Sequence, residues 1–417
     1  MVAALSLIAA LAASCSGAGA ATTVAAAPPT TATPTTLPPT TTTTTVPPTT
    51  TTVPPTTTTT VAAQDFFVKM KKGPEPLRRA IRNLFMFANR EGAPAPSMPA
   101  ELRRVVRQGP KKDRLNVTPK LTIRRLPNAR VAVATTKKDT VLAVSNGSGR
   151  WRIVGAHLAS LGRKPWFGTN KPRLLMVIGS DARPGQNPPD FRADSLHVVA
   201  LHPKSHSAAI VGIPRDSWVT SASGGTGKIT EFMSNTGPDI IVDTVEQMGG
   251  IQLDGHVLTG FAGFISMVDE IGGFMFDVPT PMADAGSQAY FDSGTQSFDG
   301  TEALAFARTR KTLLRGDLDR SFNQGLLIMT GMLRAQRLGW HGIPEMVEAF
   351  GKHGNTDLSA EELMTFAAAV LRTNPRKVTN MVLPGSTGWA GSASVVFLGE
   401  DSYDILSDLK DGRLQKS

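Results

Sequence analysis

The spacing of apolar and polar residues divides the chain into four segments. Residues 1–21 begin with a short apolar run, and residues 22–64 consist almost entirely of Thr, Pro, Ala and Val without a charge. Residues 65–165 contain a helical pattern followed by alternating strand-like runs, and in residues 166–417 strand-like and helical runs alternate. These patterns predict a targeting segment, a disordered linker, a small β-rich accessory region and an α/β domain.

The α/β domain is predicted from short apolar runs separated by longer amphipathic ones. LLMVIG (174–179), SLHVVAL (195–201) and AAIVGIP (208–214) have the length and the β-branched content of buried strands. IIVDTVEQMG and GFAGFISMVDEIGG have the apolar spacing of helices, and SASVVFLG and DSYDILSDLKDG predict a closing strand and helix. This alternation predicts helices layered on a β-sheet.

The accessory region is predicted to begin with a basic amphipathic helix between Pro76 and about Glu91. Its apolar face holds Leu77, Ile81, Leu84 and Phe85, and Arg78, Arg79 and Arg82 lie elsewhere on the helix. Such a helix either lies on a membrane surface or packs its apolar face inside the protein. The runs RVAVATT, TVLAVSN and RWRIVGA that follow predict strands, with a turn at residues 146–149.

The first residues are typical of an export signal. MVAALSLIAALAASC is apolar, too short to span a bilayer, and ends in small residues before the single cysteine, Cys15. The residues before Cys15 resemble a bacterial lipoprotein signal, in which this cysteine becomes the lipid anchor; an ordinary secretory signal is the alternative. Both predict an extracytoplasmic protein, anchored to the bacterial cell membrane in the first case. The linker that follows is either a plain spacer or a glycosylated stalk.

Charge is distributed unevenly along the chain. Residues 65–165 carry 23 Lys and Arg against 6 Asp and Glu, whereas residues 166–417 carry 21 against 28. A region this basic predicts contact with a polyanion. Because export separates the chain from nucleic acid, we expect an anionic membrane surface or an anionic wall polymer as its partner.

Candidate chemistry lies where the predicted strands end. Asp181 and Arg183 directly follow the strand 174–179, and Arg192 and Asp194 directly precede the next strand. Ligands of open α/β sheets bind where strand ends meet loops. Two carboxylates and two guanidinium groups suit a phosphate site with Mg²⁺, because carboxylates are hard oxygen ligands and arginine binds phosphate oxygens in pairs. Two internal salt bridges are the alternative.

Further arginines occur at the ends of later elements. Arg215 follows a predicted strand, Arg308 and Arg310 follow a short helix, and Arg320 and Gln324 share one helical face. If these guanidinium groups meet, they repel one another unless an anion neutralises them. The pattern therefore predicts a pyrophosphate site that binds Mg²⁺. An apolar helical stripe nearby is either a slot for a lipid or plain core, and it consists of Phe261, Phe264, Ile265, Met267 and Val268.

Five sequence blocks resemble the successive signature blocks of the LytR-CpsA-Psr family. They are LLMVIGSDARPG, FRADSLHVVALHPKSHSAAIVGIPRDSWV, LDGHVLTGFAGFISMVDEIGG, SFDGTEALAFARTR and GDLDRSFNQ, in the family's order and spacing. The resemblance covers roughly residues 168–340. It implies a three-layer α/β/α domain with a mixed central sheet in residues 166–417, with its core motifs in residues 174–340. It also implies transfer of a glycopolymer phosphate from an undecaprenyl-pyrophosphate-type lipid to a peptidoglycan hydroxyl, assisted by Mg²⁺.

The resemblance assigns roles to individual residues. Asp181 and Asp194 match the family's metal ligands, and Asp317 matches the residue that activates the acceptor hydroxyl. Gln324 matches a polar residue near the phosphates, and Lys228 is assigned to substrate binding. The arginines that match the family's pyrophosphate ligands are Arg183, Arg192, Arg215, Arg308, Arg310 and Arg320.

The sequence departs from the family pattern at three places. Asn323 replaces an arginine, RADS replaces RSDT, and KIT replaces KIN. The lost positive charge at Asn323 bears on phosphate affinity or donor choice rather than on the class of reaction. Two rival functions remain open from the sequence: a polyprenyl-pyrophosphate hydrolase, and a non-catalytic lipoprotein that binds wall polymer.

Overall fold

The computed structural model describes residues 66–234, 236–412 and 414. The predicted signal (1–21), the predicted linker (22–64) and Cys15 lie outside the described residues. Within the described part of the chain, no helix combines the length and the apolar character needed to cross a bilayer.

The accessory region contains two helices, a two-stranded parallel pair and a four-stranded antiparallel sheet. Its strands and helices are β1 Phe66–Val68, α1 Glu75–Ala88, α2 Ala100–Val106, β2 Leu115–Val117, β3 Lys120–Arg125, β4 Arg130–Thr135, β5 Asp139–Ser145 and β6 Arg152–Leu158. The four-stranded sheet has the order β3-β4-β5-β6, so each strand pairs with its neighbour in sequence. The predicted turn at residues 146–149 lies between β5 and β6.

Helix α1 packs inside the accessory region, and the membrane-surface hypothesis for its apolar face is wrong. Leu77, Ile81, Leu84 and Phe85 are at most 1% exposed. They pack in one core with α2 and with one face of the four-stranded sheet. An apolar face that is already covered by protein is not free to enter a lipid surface.

The remaining residues form the predicted α/β domain. Its strands are β7 Arg173–Ser180, β8 Ala193–His202, β9 Ser207–Gly212, β10 Trp218–Thr220, β11 Thr226–Lys228, β12 Gly255–Thr259, β13 Phe274–Val278, β14 Met282–Asp284, β15 Ala289–Phe291, β16 Gly294–Phe298, β17 Asn355–Thr356, β18 Val378–Val382, β19 Gly385–Ala390 and β20 Ala393–Leu398. Its helices are α3 Ile229–Phe232, α4 Asp239–Gly249, α5 Phe261–Glu270, α6 Gly300–Arg308, α7 Asp317–His353, α8 Ala360–Arg372 and α9 Glu400–Asp408.

A mixed six-stranded sheet lies at the centre of this domain. Its order is β17-β12-β7-β8-β9-β18, with β12 parallel to β7, β18 parallel to β9, and antiparallel pairing elsewhere. Helices α4 and α9 pack on one face in a core that includes Ile241, Val245 and Leu406. Helices α7 and α8 pack on the other face. The architecture is therefore the three-layer α/β/α arrangement that the sequence predicted.

Helix α7 links the central sheet to the accessory sheet. It begins at Asp317, bends at Gly339, where φ is 64°, and contains Pro344. A proline removes a backbone donor and a left-handed residue interrupts the helical geometry, so the bend has two local causes. One core contains residues of α7, α8, the central sheet and the accessory sheet, among them Val133 and Leu142 of the accessory sheet. Residues 65–417 accordingly form one compact unit.

Candidate functional site

The site begins where β7 ends beside the start of β8. The backbone N–H of Asp181 donates to the Arg192 carbonyl at 3.1 Å, and the Arg192 N–H donates to Asp181 Oδ1 at 3.1 Å. Asp194 Oδ1 accepts a hydrogen bond from Arg215 Nη1 at 2.7 Å. Asp194 therefore pairs with Arg215, which follows β9, and not with the nearby Arg192. The alternative of two internal salt bridges within residues 181–194 is wrong for Asp194.

The first turn of α7 adds an acidic and a basic group to this pair. Arg215 Nε lies 3.7 Å from Asp317 Oδ1, and the same oxygen pairs with Arg320 Nη2. These contacts form one continuous group of charged side chains. We call it the charged cluster, and it consists of Asp194, Arg215, Asp317 and Arg320. Lys228 joins its edge through Asp216, because Asp216 Oδ1 lies 2.9 Å from Lys228 Nζ and Asp216 Oδ2 lies 3.8 Å from Arg215 Nε.

Electrostatics in the cluster favour both an added cation and an added anion. Burial raises the pKa of Asp181, and the neighbouring carboxylate of Asp194 raises it further. Burial lowers the pKa of Arg320, and the guanidinium groups of Arg215 and Arg310 act in the same direction. A cation between the carboxylates and an anion between the arginines would relieve these two repulsions.

Beneath the charged cluster lies a deep apolar cavity of about 350 Å³. Its mouth is lined by Ser180, Asp194, Ser195, Arg308, Arg320 and Gln324. Its walls come from the central sheet and from α5, α7 and α8. Of the five apolar α5 residues singled out in the sequence, Phe261, Phe264, Met267 and Val268 line the cavity, while Ile265 is not among its lining residues.

The segment Arg308–Arg310 is held at the mouth by two polar contacts. The Arg308 guanidinium lies 4.8 Å from the centre of the Phe261 ring, and Gln324 Nε2 donates to the carbonyl of Ala307 at 3.1 Å. Helix α6, which leads into this segment, starts with a capping box between Asp299 and Glu302. The cap satisfies backbone donors at the helix start and so fixes where the two arginines emerge.

Two sequence-predicted arginines are less closely engaged in the site. The side chain of Arg183 is exposed, and no contact joins it to the charged cluster among the described residues. Arg192 contributes its backbone N–H to Asp181, but its side chain is 60% exposed and lies 4.0 Å from Glu231. Both residues belong to the loop between β7 and β8, which projects into solvent.

Sequence reasoning missed a residue that shapes the Arg308–Arg310 segment. The buried carboxylate of Asp284 accepts hydrogen bonds from the N–H groups of Arg310 at 3.2 Å, Lys311 at 3.3 Å and Gly286 at 2.9 Å. Burial alone would raise the pKa of Asp284, but the backbone donors outweigh that effect and lower it. No sequence spacing signals this contact, because Asp284 lies far from the arginines along the chain.

The protein donors available to a metal are few. Within the described residues, no three side chains of His, Cys, Asp or Glu come together as a metal site would require. The carboxylate of Asp194 is close enough to raise the pKa of Asp181, and Asp194 also lines the cavity. Two carboxylates suffice for Mg²⁺ only when water and substrate phosphate oxygens supply the remaining ligands. The donor set fits a metal that arrives with a phosphate.

The site is thus an apolar cavity in a three-layer α/β/α domain, with arginines and one aspartate among its lining residues. The chain belongs to the LytR_cpsA_psr family, whose sequence profile matches residues 146–410. The match starts before Trp166, inside the segment that the sequence had assigned to the accessory region.

Curated proteins and solved structures resemble this chain, among them the following three. The polyisoprenyl-teichoic acid–peptidoglycan teichoic acid transferase TagV of Bacillus subtilis is 30% identical over 243 residues, which cover 56% of this chain and 61% of that protein. The probable cell wall biosynthesis protein LcpB of Corynebacterium glutamicum is 33% identical over 161 residues, which cover 36% of this chain and 38% of that protein. The crystal structure of B. subtilis TagV aligns with a TM-score of 0.51 at 27% identity, covering 58% of this chain and 96% of that chain. The chain thus spans less than two thirds of either curated relative.

Proposed function

We propose that this protein transfers a phosphate-linked glycopolymer from a polyprenyl pyrophosphate lipid to a hydroxyl of peptidoglycan. The observation that carries the proposal is the apolar cavity of about 350 Å³ with Asp194, Arg308 and Arg320 at its mouth. A ligand that satisfies both parts has a hydrocarbon tail and an anionic head. The relative TagV is named as an enzyme that acts on a polyisoprenyl-linked teichoic acid and peptidoglycan, which supports this ligand class.

The arginines of the site would bind the pyrophosphate. Arg215 and Arg320 both pair with Asp317 Oδ1, and Arg310 is close enough to Arg320 to lower its pKa. Phosphoryl transfer needs little covalent help from the protein, so the guanidinium groups would act by stabilising charge on the phosphate oxygens. Asp181 and Asp194 would hold Mg²⁺, which when bound supplies further positive charge to the phosphates.

Asp317 would accept the proton of the attacking hydroxyl. Its Oδ1 is paired with Arg215 and Arg320, and an arriving pyrophosphate would compete for both guanidinium groups. Binding of the donor would therefore free the carboxylate for the acceptor hydroxyl. In this step a bond forms between the hydroxyl oxygen and the glycan-linked phosphorus. The bond between that phosphorus and the bridging oxygen breaks, and the lipid phosphate leaves.

The protein would work on the outer side of the cell membrane. An extracytoplasmic position brings it to peptidoglycan, and a lipid on Cys15 would keep the cavity near its lipid donor. The 23 Lys and Arg residues in residues 65–165 would add attraction to anionic surfaces.

The direct test combines the full-length protein with lipid-linked polymer and peptidoglycan fragments. We expect polymer joined to peptidoglycan together with released lipid phosphate. Asp181→Asn and Arg310→Ala should each lower the rate of transfer by about 100- to 1,000-fold, the typical cost of removing one charge-stabilising group. Arg376→Ala is the matched control, because Arg376 is exposed and lies outside the site.

The product distinguishes the proposal from its rivals. Release of lipid phosphate without any joined product, in the presence of acceptor, would identify a hydrolase. Unchanged polymer attachment by the Asp181→Asn and Arg310→Ala variants would instead favour a non-catalytic polymer-binding protein.

A further inference from the structure

A second cavity, of about 750 Å³, lies in the accessory region far along α7 from the charged cluster. We call it the basic groove; its charged lining consists of Arg114, Lys120, Lys137, Lys138 and Asp139, and His341 also lines it. The volume is that of a site for a whole ligand, since such sites span about 300–1,000 Å³. Most of its lining residues are polar or cationic, whereas those of an ordinary ligand pocket are mainly apolar.

The single carboxylate of the basic groove is committed to the protein's own structure. Asp139 is 2% exposed; its Oδ1 accepts from the Ser160 N–H at 2.8 Å, and its Oδ2 accepts from Thr136 Oγ1 at 2.9 Å. These contacts hold the turn between β4 and β5, at whose tip Lys137 and Lys138 stand. Asp139 therefore shapes the groove, and its one negative charge is outnumbered there by the four cationic side chains of Arg114, Lys120, Lys137 and Lys138.

Among residues 66–412 that the structure describes, no carboxylate pairs with a lysine of the basic groove. The three lysines, Lys120, Lys137 and Lys138, are exposed. Lysine side chains donate hydrogen bonds and accept none, so a ligand that satisfies them carries negative charge and several acceptor oxygens.

Separate parts of the chain meet at the basic groove. The register of β3 and β4 places Lys120 opposite Thr135, and Thr135 Oγ1 lies 3.2 Å from His341 Nδ1 of α7. The groove is thus formed by the accessory sheet together with the helix that also carries Arg320. The straight part of α7 from Arg320 to Leu338 is about 27 Å long at 1.5 Å per residue.

We propose that the basic groove binds a phosphodiester segment of an anionic polymer, the same polymer that the charged cluster would transfer. This inference rests on the proposed function. A chain of phosphates that ends at Arg320 can continue to a second cationic site on the order of 30 Å away, which a single phosphate or a lipid headgroup cannot do. Two sites joined by one polymer raise the effective concentration of the polymer at each.

The test measures binding of poly(glycerol phosphate) of defined length to the full-length protein by titration calorimetry at low salt. Lys137→Gln/Lys138→Gln removes two charges from exposed positions whose side chains hold nothing in place. We expect the dissociation constant to rise by about 2- to 30-fold, the range for two exposed charge pairs. The matched control is Lys71→Gln/Lys72→Gln, which removes two adjacent exposed lysines of the accessory region outside the groove.

Each outcome decides the proposal. Weaker polymer binding in the groove variant alone supports it, whereas equal weakening in both variants would show diffuse attraction and overturn it. Sedimentation with phosphatidylglycerol vesicles is the second measurement. If the groove variant keeps its affinity for the polymer but no longer sediments with the vesicles, the groove binds a membrane surface and the proposal is overturned. A third outcome is that the wild-type protein binds polymer through the groove and yet performs no transfer in the assay above. That result would reject the proposed function and retain the basic groove as a polymer-binding site.

Discussion

His197 is a buried neutral histidine behind the charged cluster. It is fully shielded from solvent; Nε2 donates to the Ser321 carbonyl at 3.0 Å, and Nδ1 lies 3.3 Å from Ser195 Oγ. It therefore joins β8, next to Asp194, to the first turns of α7. Burial lowers its pKa to about 4, against a weaker opposing effect of the bond to Ser321.

We predict that His197 makes the protein less stable in mild acid. Below about pH 6.5 the unfolded chain binds a proton that the folded chain takes up only near pH 4, so the free energy of unfolding falls across this window. Between pH 7 and pH 5 the loss is about 2 kcal/mol. Urea unfolding at both pH values measures it. His197→Gln should reduce the pH dependence by that amount, and an unchanged difference between the two pH values would contradict the prediction.

Asp284 should matter for activity although it lies outside the charged cluster. Asp284→Asn keeps the shape of the side chain but removes the charge that gathers the N–H groups of Arg310 and Lys311. We expect a loss of about 1–3 kcal/mol in the free energy of unfolding. The pKa of Asp284 is lowered in the folded state. Its carboxylate therefore contributes fully to the free energy of unfolding above the ordinary Asp pKa, and this contribution is lost as the pH falls from there through the lowered pKa of the folded state.

The measurement for Asp284→Asn is urea unfolding at neutral pH together with the kinetics of transfer. A displaced Arg308–Arg310 segment should raise KM for the proposed lipid donor more than it lowers kcat of the proposed transfer. Asp292→Asn serves as a control on an exposed carboxylate of the same part of the domain. Equal effects of the two substitutions would remove the special role of Asp284.

Single residues of the site differ in how far the sequence predicted them. Asp194, Arg215 and Arg320 were predicted from charged residues at strand ends and on one helical face, whereas Asp317 was predicted from the family resemblance. The contacts of Asp284 and the pairing of Asp194 with Arg215 were not predicted. Contacts between distant segments depend on the order of strands in the sheet. Sequence spacing gives no information on that order.

At the level of elements, α7 lies close to the central sheet because of a glycine. A methyl group on Gly325 would lie 2.0 Å from Oδ1 of Asn380 in β18, and Asn380 is itself fixed by a bond from Nδ2 to the Phe322 carbonyl at 2.9 Å. Gly331, two turns later in the same helix, faces the open space of the apolar cavity. The two glycines therefore form a matched pair.

We predict opposite effects of alanine at these two glycines. Gly325→Ala should lower the free energy of unfolding by about 1–3 kcal/mol, because the clash outweighs the gain in helix propensity. Gly331→Ala should raise it by up to about 1 kcal/mol, because alanine favours a helix and meets no neighbour. Thermal unfolding of both variants tests this, and stabilisation by Gly325→Ala would show that α7 can move away from the sheet at little cost.

The element pattern itself was largely readable from the sequence. The runs at 174–179, 195–201 and 208–214 correspond to β7, β8 and β9, and the helical runs correspond to α4 and α5. The alternation of strands and helices predicted the layers because it sets which faces are apolar. The bend of α7 at Gly339 and its packing against the accessory sheet were not predicted, since they depend on tertiary contacts.

At the level of the whole molecule, the accessory sheet shares a core with the family domain. Leu142, Val133 and Val144 pack in the same cluster as Met364 and Val347. Ion pairs across this boundary, such as Arg152 with Glu361 at 3.1 Å, are partly exposed. Apolar burial therefore holds the two parts together, and the ion pairs add little.

We predict that residues 65–417 unfold in one transition. Leu142→Ala should lower the free energy of unfolding by about 2–5 kcal/mol and shift the whole calorimetric peak, because the cavity it leaves lies in the shared core. Arg152→Ala should cost less than about 1 kcal/mol. A second peak in the Leu142→Ala variant, with the family domain melting at its original temperature, would contradict a shared core.

The position of α8 between two sheets has a consequence for shortened versions of this protein. A product that started at residue 166 would expose to water the side of α8 that β4, β5 and β6 now cover. Such a fragment would aggregate or be degraded, so its catalytic activity could not be measured. Deletion mapping of this gene would thus report on solubility, and only point substitutions in an intact chain can separate what each half contributes.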